Sequence, residues 1–216
     1  MLKAFYRLFI LTSISLFSLM ACVSPKITMK PLPAQSAQQR ASQLQKLTLW
    51  EIRGKIAFIQ KIPDQQDKRE SVSIWWQVDE NNQKQTLDLT SYLGMNVLHL
   101  SSIEGEHFLN VDGKEYRSDN LSQLIYSLTG LTLPTQALSF WLKGLPYQAT
   151  DQLTFDAKTR LPTGITSNYH KASWQITYDK YQVFKQIPMA TKFTIKKNGL
   201  IIKIAIAQWS FTPKAS

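Results

Sequence analysis

The sequence predicts a mainly β domain: one antiparallel, strongly curled sheet with a helical insertion packed on its apolar face. Three observations carry this. Apolar and polar residues alternate through most of the chain, which is the period of a strand with one buried face. Asp112-Gly113 and Asn198-Gly199 stand between such runs, where a tight hairpin turn needs them. Residues 119–146 break the alternation and take up helical spacing instead.

The first strand places Trp50, Ile52, Gly54, Ile56 and Phe58 on one face and Glu51, Arg53 and Lys55 on the other. Val72, Ile74, Trp76 and Val78 repeat the pattern against Ser71, Ser73 and Gln77. Leu87 and Leu89, then Leu98 and Leu100, then His107, Leu109 and Val111 extend it, and Asp112-Gly113 turns the chain into Lys114 to Arg117. Asp119 or Asn120 then caps a helix in which Leu121, Leu124, Ile125 and Leu128 form one stripe, with Gly130 as its stop. Thr135 caps a second helix through Leu138, Trp141 and Leu142, closed by Gly144-Leu145-Pro146. Strands resume at Leu153 to Phe155, Pro162 to Tyr169, Trp174-Ile176-Tyr178, Phe193-Ile195 and Ile202-Ile204-Ile206. The total is roughly ten strands and two short helices. Closing into a barrel would bury the dry face of such a sheet. Two helices inside a half-closed barrel would do the same and leave an apolar space between.

The start of the chain reads differently. Lys3 and Arg7 precede an apolar stretch from Leu8 to Met20, and Leu19-Met20-Ala21-Cys22 closes it. A basic start, an apolar middle and a small residue at the cut are the order of an export signal. The stretch is short of the about 20 residues a membrane span needs. Cys22 is the single cysteine of the 216 residues, and a lone thiol in an exported protein invites stray disulfides unless it is modified. A plain secretory signal, or an uncleaved anchor beside a chance cysteine, is the alternative. Residues 22–42, with Pro25, Pro31 and Pro33 among Ser, Gln and Ala, read as a tether, with a short helix or the run-in to the first strand from Gln43. The predicted organisation is therefore a signal at 1–21, a tether that opens on Cys22 at 22–42 and one domain at 43–216.

Charge and chemistry narrow the function. Removing residues 1–21 takes away Lys3 and Arg7, so the net charge falls by two from +10 to +8. The basic residues are scattered rather than blocked, and export argues against nucleic acid. A solvated basic surface, an acidic partner and anionic lipid all fit. No nucleophile elbow, zinc-binding helix or glycine-rich phosphate loop is present. His99 falls on the polar side of its strand, His107 falls in phase with its core, and His170 lies apart from both. This predicts no metal, no cofactor and no catalytic residue: a binding protein rather than an enzyme.

One loop stands out. Hairpin tips are normally polar, yet Tyr92, Leu93 and Met95 surround Gly94 between two strands. Exposed, they are placed to enter lipid or an apolar partner; folded back, they join the core.

Together these residues resemble a known family. The cysteine box at Cys22 resembles the lipobox, in which the sulfur receives diacylglycerol and the new amino group is acylated. Trp50 to Ala57, Trp75-Trp76-Gln77, Leu93-Gly94, Leu128-Thr129-Gly130, Trp141 to Pro146 and Gln208-Trp209 then follow in the order of the LolB family, across essentially the whole domain. The resemblance implies an incomplete antiparallel barrel under a helical lid, with a cavity for acyl chains. It implies an outer-membrane lipoprotein facing the periplasm that accepts lipoproteins from a LolA-like carrier and inserts them among outer-membrane phospholipids; a monomer is expected. Val23 after the cysteine fits sorting to the outer membrane. Leu93 matches the family's exposed leucine required for insertion, and Tyr92 stands where the family often has proline. Candidate cavity residues are Ile52, Ile56, Trp76, Leu87, Leu89, Ile202 and Ile204 of the sheet and Leu124, Leu128 and Trp141 of the lid. A scaffold lipoprotein that binds protein or glycan without a cavity is the main competitor, and an envelope hydrolase the third reading.

Overall fold

The structure is a computed structural model that describes residues 36–211 apart from Leu131, all within the compact unit Leu32–Ser216. The expected signal at 1–21, Cys22, Val23 and the first part of the tether lie outside the described residues.

Helix α1 spans Ala37–Gln45. Six strands follow: β1 Leu49–Gln60, β2 Lys68–Asp79, β3 Lys84–Thr90, β4 Asn96–Ile103, β5 Glu106–Val111 and β6 Lys114–Ser118. Two helices come next, α2 Leu121–Thr129 and α3 Thr135–Lys143. Five strands complete the described residues: β7 Gln152–Phe155, β8 Pro162–Tyr169, β9 Ala172–Phe184, β10 Ile187–Lys197 and β11 Leu200–Phe211.

All eleven strands form one antiparallel sheet in the order β6-β5-β4-β3-β2-β1-β11-β10-β9-β8-β7. The chain meanders outward from β1 to the edge strand β6, crosses through α2 and α3 to the other edge strand β7, and meanders back to pair β11 with β1. The sheet is curled but unclosed, because β6 and β7 do not pair. The helices occupy the one connection between the two edges and cover the apolar face there.

Curl comes from local irregularity. The β1–β11 register slips between Arg53 and Gly54, and β10 slips against β9 around Lys192. A bulge bends its strand and raises its twist. At Gly54 a Cβ would stand 2.2 Å from the Ala205 carbonyl oxygen, so only glycine allows this approach.

Aromatic side chains fill the hollow. Trp50, Trp141 and Trp174 are fully buried, and Trp50 lies 5.1 Å from Trp76 and 5.8 Å from Trp209. Polar atoms of these rings are satisfied in part by design of the surround: Trp209 Nε1 donates to the Ala190 carbonyl at 2.9 Å and Trp50 Nε1 to Glu80 Oε1 at 3.2 Å.

Three details depart from the expectations. Helix α1 begins at Ala37, inside the segment read as tether, because Ser36 and Gln39 form a capping box. Pro134, not Thr135, holds the N-cap position of α3 and makes no side-chain cap. The strand β9 continues to Phe184 and β10 starts at Ile187, joined through Lys185 and Gln186, both with positive φ.

Candidate functional site

The predicted cavity residues all come from the concave side of the sheet and its helices, but they separate into two groups. Ile52, Ile56, Trp76, Ile202 and Ile204 are buried in the main core together with Trp141 of α3, and Leu89 packs against them. Register explains the sheet part, since Ile52 pairs with Trp76 and Ile56 with Ile204. Leu124 and Leu128 belong instead to a second cluster, where α2 lies on Leu100 and Leu109. Leu87 touches both clusters, as does Leu133 between the helices. The second cluster also contains Leu121 and Ile125, with Leu98, Val111 and Tyr116 at its border. Those residues were visible as strand and helix positions, but only pairing of Leu87 with Leu100 and of Leu100 with Leu109 puts them under α2.

The two helices are held by different means. The Trp141 carbonyl of α3 accepts from Tyr178 Oη at 2.6 Å, and burial pushes that phenol well above its ordinary value, so it remains a donor. Lys143 Nζ donates to Glu80 Oε1 at 2.7 Å. Arg40 of α1, 3% exposed, donates to the Lys143 carbonyl at 3.1 Å and to the Pro188 carbonyl at 3.2 Å. Burial pulls the Arg40 pKa down, but carbonyl dipoles at the C-terminus of α3 compensate its charge. Helix α2 is seated mainly by its apolar stripe, with Ser122 Oγ 2.8 Å from Thr135 Oγ1. Gly130, at φ +68°, ends α2 and leads into the link to α3. Hydrogen bonds to buried partners resist displacement more than apolar contacts that a second apolar surface can replace.

The sheet's apolar face and the helices' apolar stripes are in contact with each other. A cleft beside them is lined mainly by polar residues. It holds about 450 Å³ and opens where α2 and α3 begin, against Trp76, Glu80, Gln85, Ser102, His107 and Asn120. His107 is half-buried with Nδ1 2.7 Å from Ser102 Oγ, and burial pulls its pKa below the ordinary value while Asp119 acts the other way. His99 lies on the opposite, outer face, partly exposed, with Nδ1 2.6 Å from Asp88 Oδ1.

The loop between β3 and β4 projects into solvent. Tyr92 is 96% exposed, Leu93 78% and Met95 62%. The tip does not fold back onto the core. Its shape is set by backbone bonds, with Ser91 N–H to the Met95 carbonyl at 2.9 Å and Gly94 N–H to the Ser91 carbonyl at 3.0 Å. Gly94 takes φ +78° with open space around it. Tyr92 and Leu93 thus occupy the two central positions of a closed turn and point their bulk outward.

Comparison with known proteins places this arrangement. The family model described as outer membrane lipoprotein LolB matches residues 48–209. The outer-membrane lipoprotein LolB of Tolumonas auensis is 33% identical over 174 residues, which cover 80% of this chain and 82% of that one. The LolB of Vibrio cholerae is 31% identical over 204 residues, covering 92% and 94%. Among solved structures, a LolA superfamily protein of Nitrosomonas europaea aligns with a TM-score of 0.50 at 8% identity, covering 83% of this chain and 94% of that one, a likeness of fold.

Proposed function

The chain belongs to the family of the outer-membrane lipoprotein LolB, and from that premise we propose that it accepts lipoproteins from a LolA-like periplasmic carrier and inserts them into the outer membrane. The observation that carries the reading is the combination, in one domain, of a helix-covered apolar sheet face and a loop tip whose apolar side chains stand in solvent. The proposal extends to the start of the chain: residues 1–21 direct export, Cys22 carries the lipid, and the segment up to α1 tethers the domain on the periplasmic side.

The physical problem is transfer of acyl chains through water. Exposing one chain costs on the order of 10 kcal/mol, at about 0.8 kcal/mol per methylene. A receiver must shield the chain and yet release it to the bilayer. Helix α2 supplies both properties in this reading. Swung away from its link at Gly130, it uncovers Leu87, Leu98, Leu100 and Leu109, and its own Leu121, Leu124 and Leu128 close over the chain. Helix α3 stays bolted to Tyr178, Glu80 and Arg40. Of the predicted residues, Leu87, Leu124 and Leu128 then meet the cargo first, while Ile52, Ile56, Trp76, Leu89, Ile202 and Ile204 belong to the core in which Trp141 anchors α3. Since α2 re-covers the same apolar surface when cargo leaves, lid closure competes with the acyl chain and keeps binding loose. The loop of Tyr92, Leu93, Gly94 and Met95 enters the bilayer and brings the domain to lipid. No bond is made or broken, and no cofactor enters.

Transfer itself is the test. The chain without residues 1–21, carrying Cys22→Ala, is incubated with a carrier–lipoprotein complex and then with vesicles. Cargo should pass to the chain and on to the vesicles; cargo that stays on the carrier refutes the reading.

A further inference from the structure

The outer face of the sheet carries a field of lysines that the mechanism above does not use. Lys55 of β1, Lys203 of β11, Lys192 and Lys196 of β10 and Lys180 of β9 are all exposed. Among the described residues, none of the five stands in an ion pair. Register gathers them from distant parts of the chain. Lys55 pairs with Ala205, Ala205 with Lys192, and Lys192 with Lys180, so three of them lie on one line across four strands. Lys203 sits in the next row between Ala57 and Thr194, and Lys196 lies opposite Ile201. The residues between them are small or neutral and leave the ammonium groups in water. Of the nearby carboxylates, Glu51 is held by Arg53 at 2.8 Å, and Asp179 flanks the field at Lys180.

The same line runs the other way to the loop. Lys55 pairs with Ser73, and Ser73 with Thr90, the last residue of β3 before the exposed tip. Two strand spacings, roughly 10 Å, separate Lys55 from the base of that loop. Cationic face and apolar tip are therefore neighbours on one surface, the pairing that lets a protein rest on anionic headgroups while apolar side chains enter lipid.

We propose that this lysine face docks on anionic phospholipid headgroups and seats the domain on the bilayer with its loop at the lipid surface. It rests on the reading that the loop enters lipid, and it adds the headgroup class and the residues that recognise it. Charge complementarity favours phosphate diesters, which form a continuous anionic plane matching a lysine field spread over four strands. Each lysine near such a plane contributes about fivefold in binding, and salt screens this within about 10 Å.

The test compares the chain without residues 1–21, carrying Cys22→Ala, with the same chain bearing Lys55→Gln, Lys192→Gln and Lys203→Gln. Both are sedimented with vesicles of phosphatidylethanolamine alone and with added phosphatidylglycerol. The parent should bind the anionic vesicles more tightly and lose that gain in salt. The glutamine variant should lose the gain by on the order of 100-fold, three lysines at about fivefold each, while binding to neutral vesicles and the thermal midpoint stay unchanged. The corresponding arginine variant should bind as the parent does. A glutamine variant that keeps the phosphatidylglycerol dependence overturns the proposal. So does one that keeps vesicle binding but no longer takes cargo from the carrier, since the face would then dock an acidic protein. Uptake of a fluorescent fatty acid, measured on the parent alone, reports on the acyl-carrying function separately.

Discussion

Replacing Leu93 with glutamate separates acceptance of cargo from its delivery. Leu93 is 78% exposed, so its side chain contributes little to folding, and Leu93→Glu should change stability by less than about 0.5 kcal/mol. The same exposure leaves nearly the whole side chain free to enter lipid, where a leucine contributes about 2 kcal/mol. Losing it weakens loop insertion about thirtyfold, and the carboxylate adds a further cost of the same sign in the hydrocarbon. The assay has two stages: transfer from the carrier to the soluble chain, read by co-purification, and transfer from the chain to vesicles, read by flotation. Acceptance should remain near the parent level, because Leu93 lies outside both apolar clusters. Delivery should fall by thirtyfold or more, with Leu93→Ala falling between. Normal delivery by Leu93→Glu would remove the loop from the mechanism, and a lowered melting point would refute the premise that the tip is not part of the core.

Three further predictions concern the frame that holds the site. Gly54→Ala drives a Cβ into the Ala205 carbonyl and should destabilise the domain by about 3 kcal/mol, read as a shift of the denaturation midpoint; an unchanged midpoint would mean that the β1–β11 bulge relaxes freely. Arg40→Ala leaves the buried carbonyls of Lys143 and Pro188 without their donor and should cost about 2–4 kcal/mol. It should also open the α1–α3 contact to limited proteolysis, and full protection would show that α3 is held without it. The neutral form of His107 is favoured by burial, so its contribution to stability is complete above its ordinary value near 6.5 and is lost as pH falls below that value. His107→Gln should flatten this acid-side slope in chemical denaturation measured across pH; an identical slope in the variant would assign it to another group.

Much of this architecture was legible because two periods carry it. Alternation marked β1 and β2 residue by residue, and the stripe from Leu121 to Leu128 marked α2. The loop at Tyr92 to Met95 was legible because apolar residues at a turn contradict the ordinary preference for polar tips. What was hidden depends on contacts between residues distant in sequence. Helix α1 lay in a proline- and glutamine-rich stretch whose composition resembles a linker, and the Ser36–Gln39 capping box and the burial of Arg40 and Leu44 distinguish it. The turns at His170-Lys171 and Lys185-Gln186 use non-glycine residues at positive φ, so the usual turn signals are missing. The division of the cavity candidates between a filled core and the surface beneath α2 follows from strand register and from which helix lies over which hairpin. The lysine face is of the same kind: Lys55, Lys192 and Lys203 become neighbours only when β1, β11 and β10 pair.

Where the acyl chain sits tests the account most directly. A fatty acid bearing a photoreactive group at its tail, irradiated with the soluble chain, should form adducts on Leu98, Leu100 or Leu109 of the sheet and on Leu124 or Leu128 of α2, and an excess of unlabelled fatty acid should suppress them. Adducts confined to the outer face or the loop, or none that saturate, would contradict acyl carriage beneath α2.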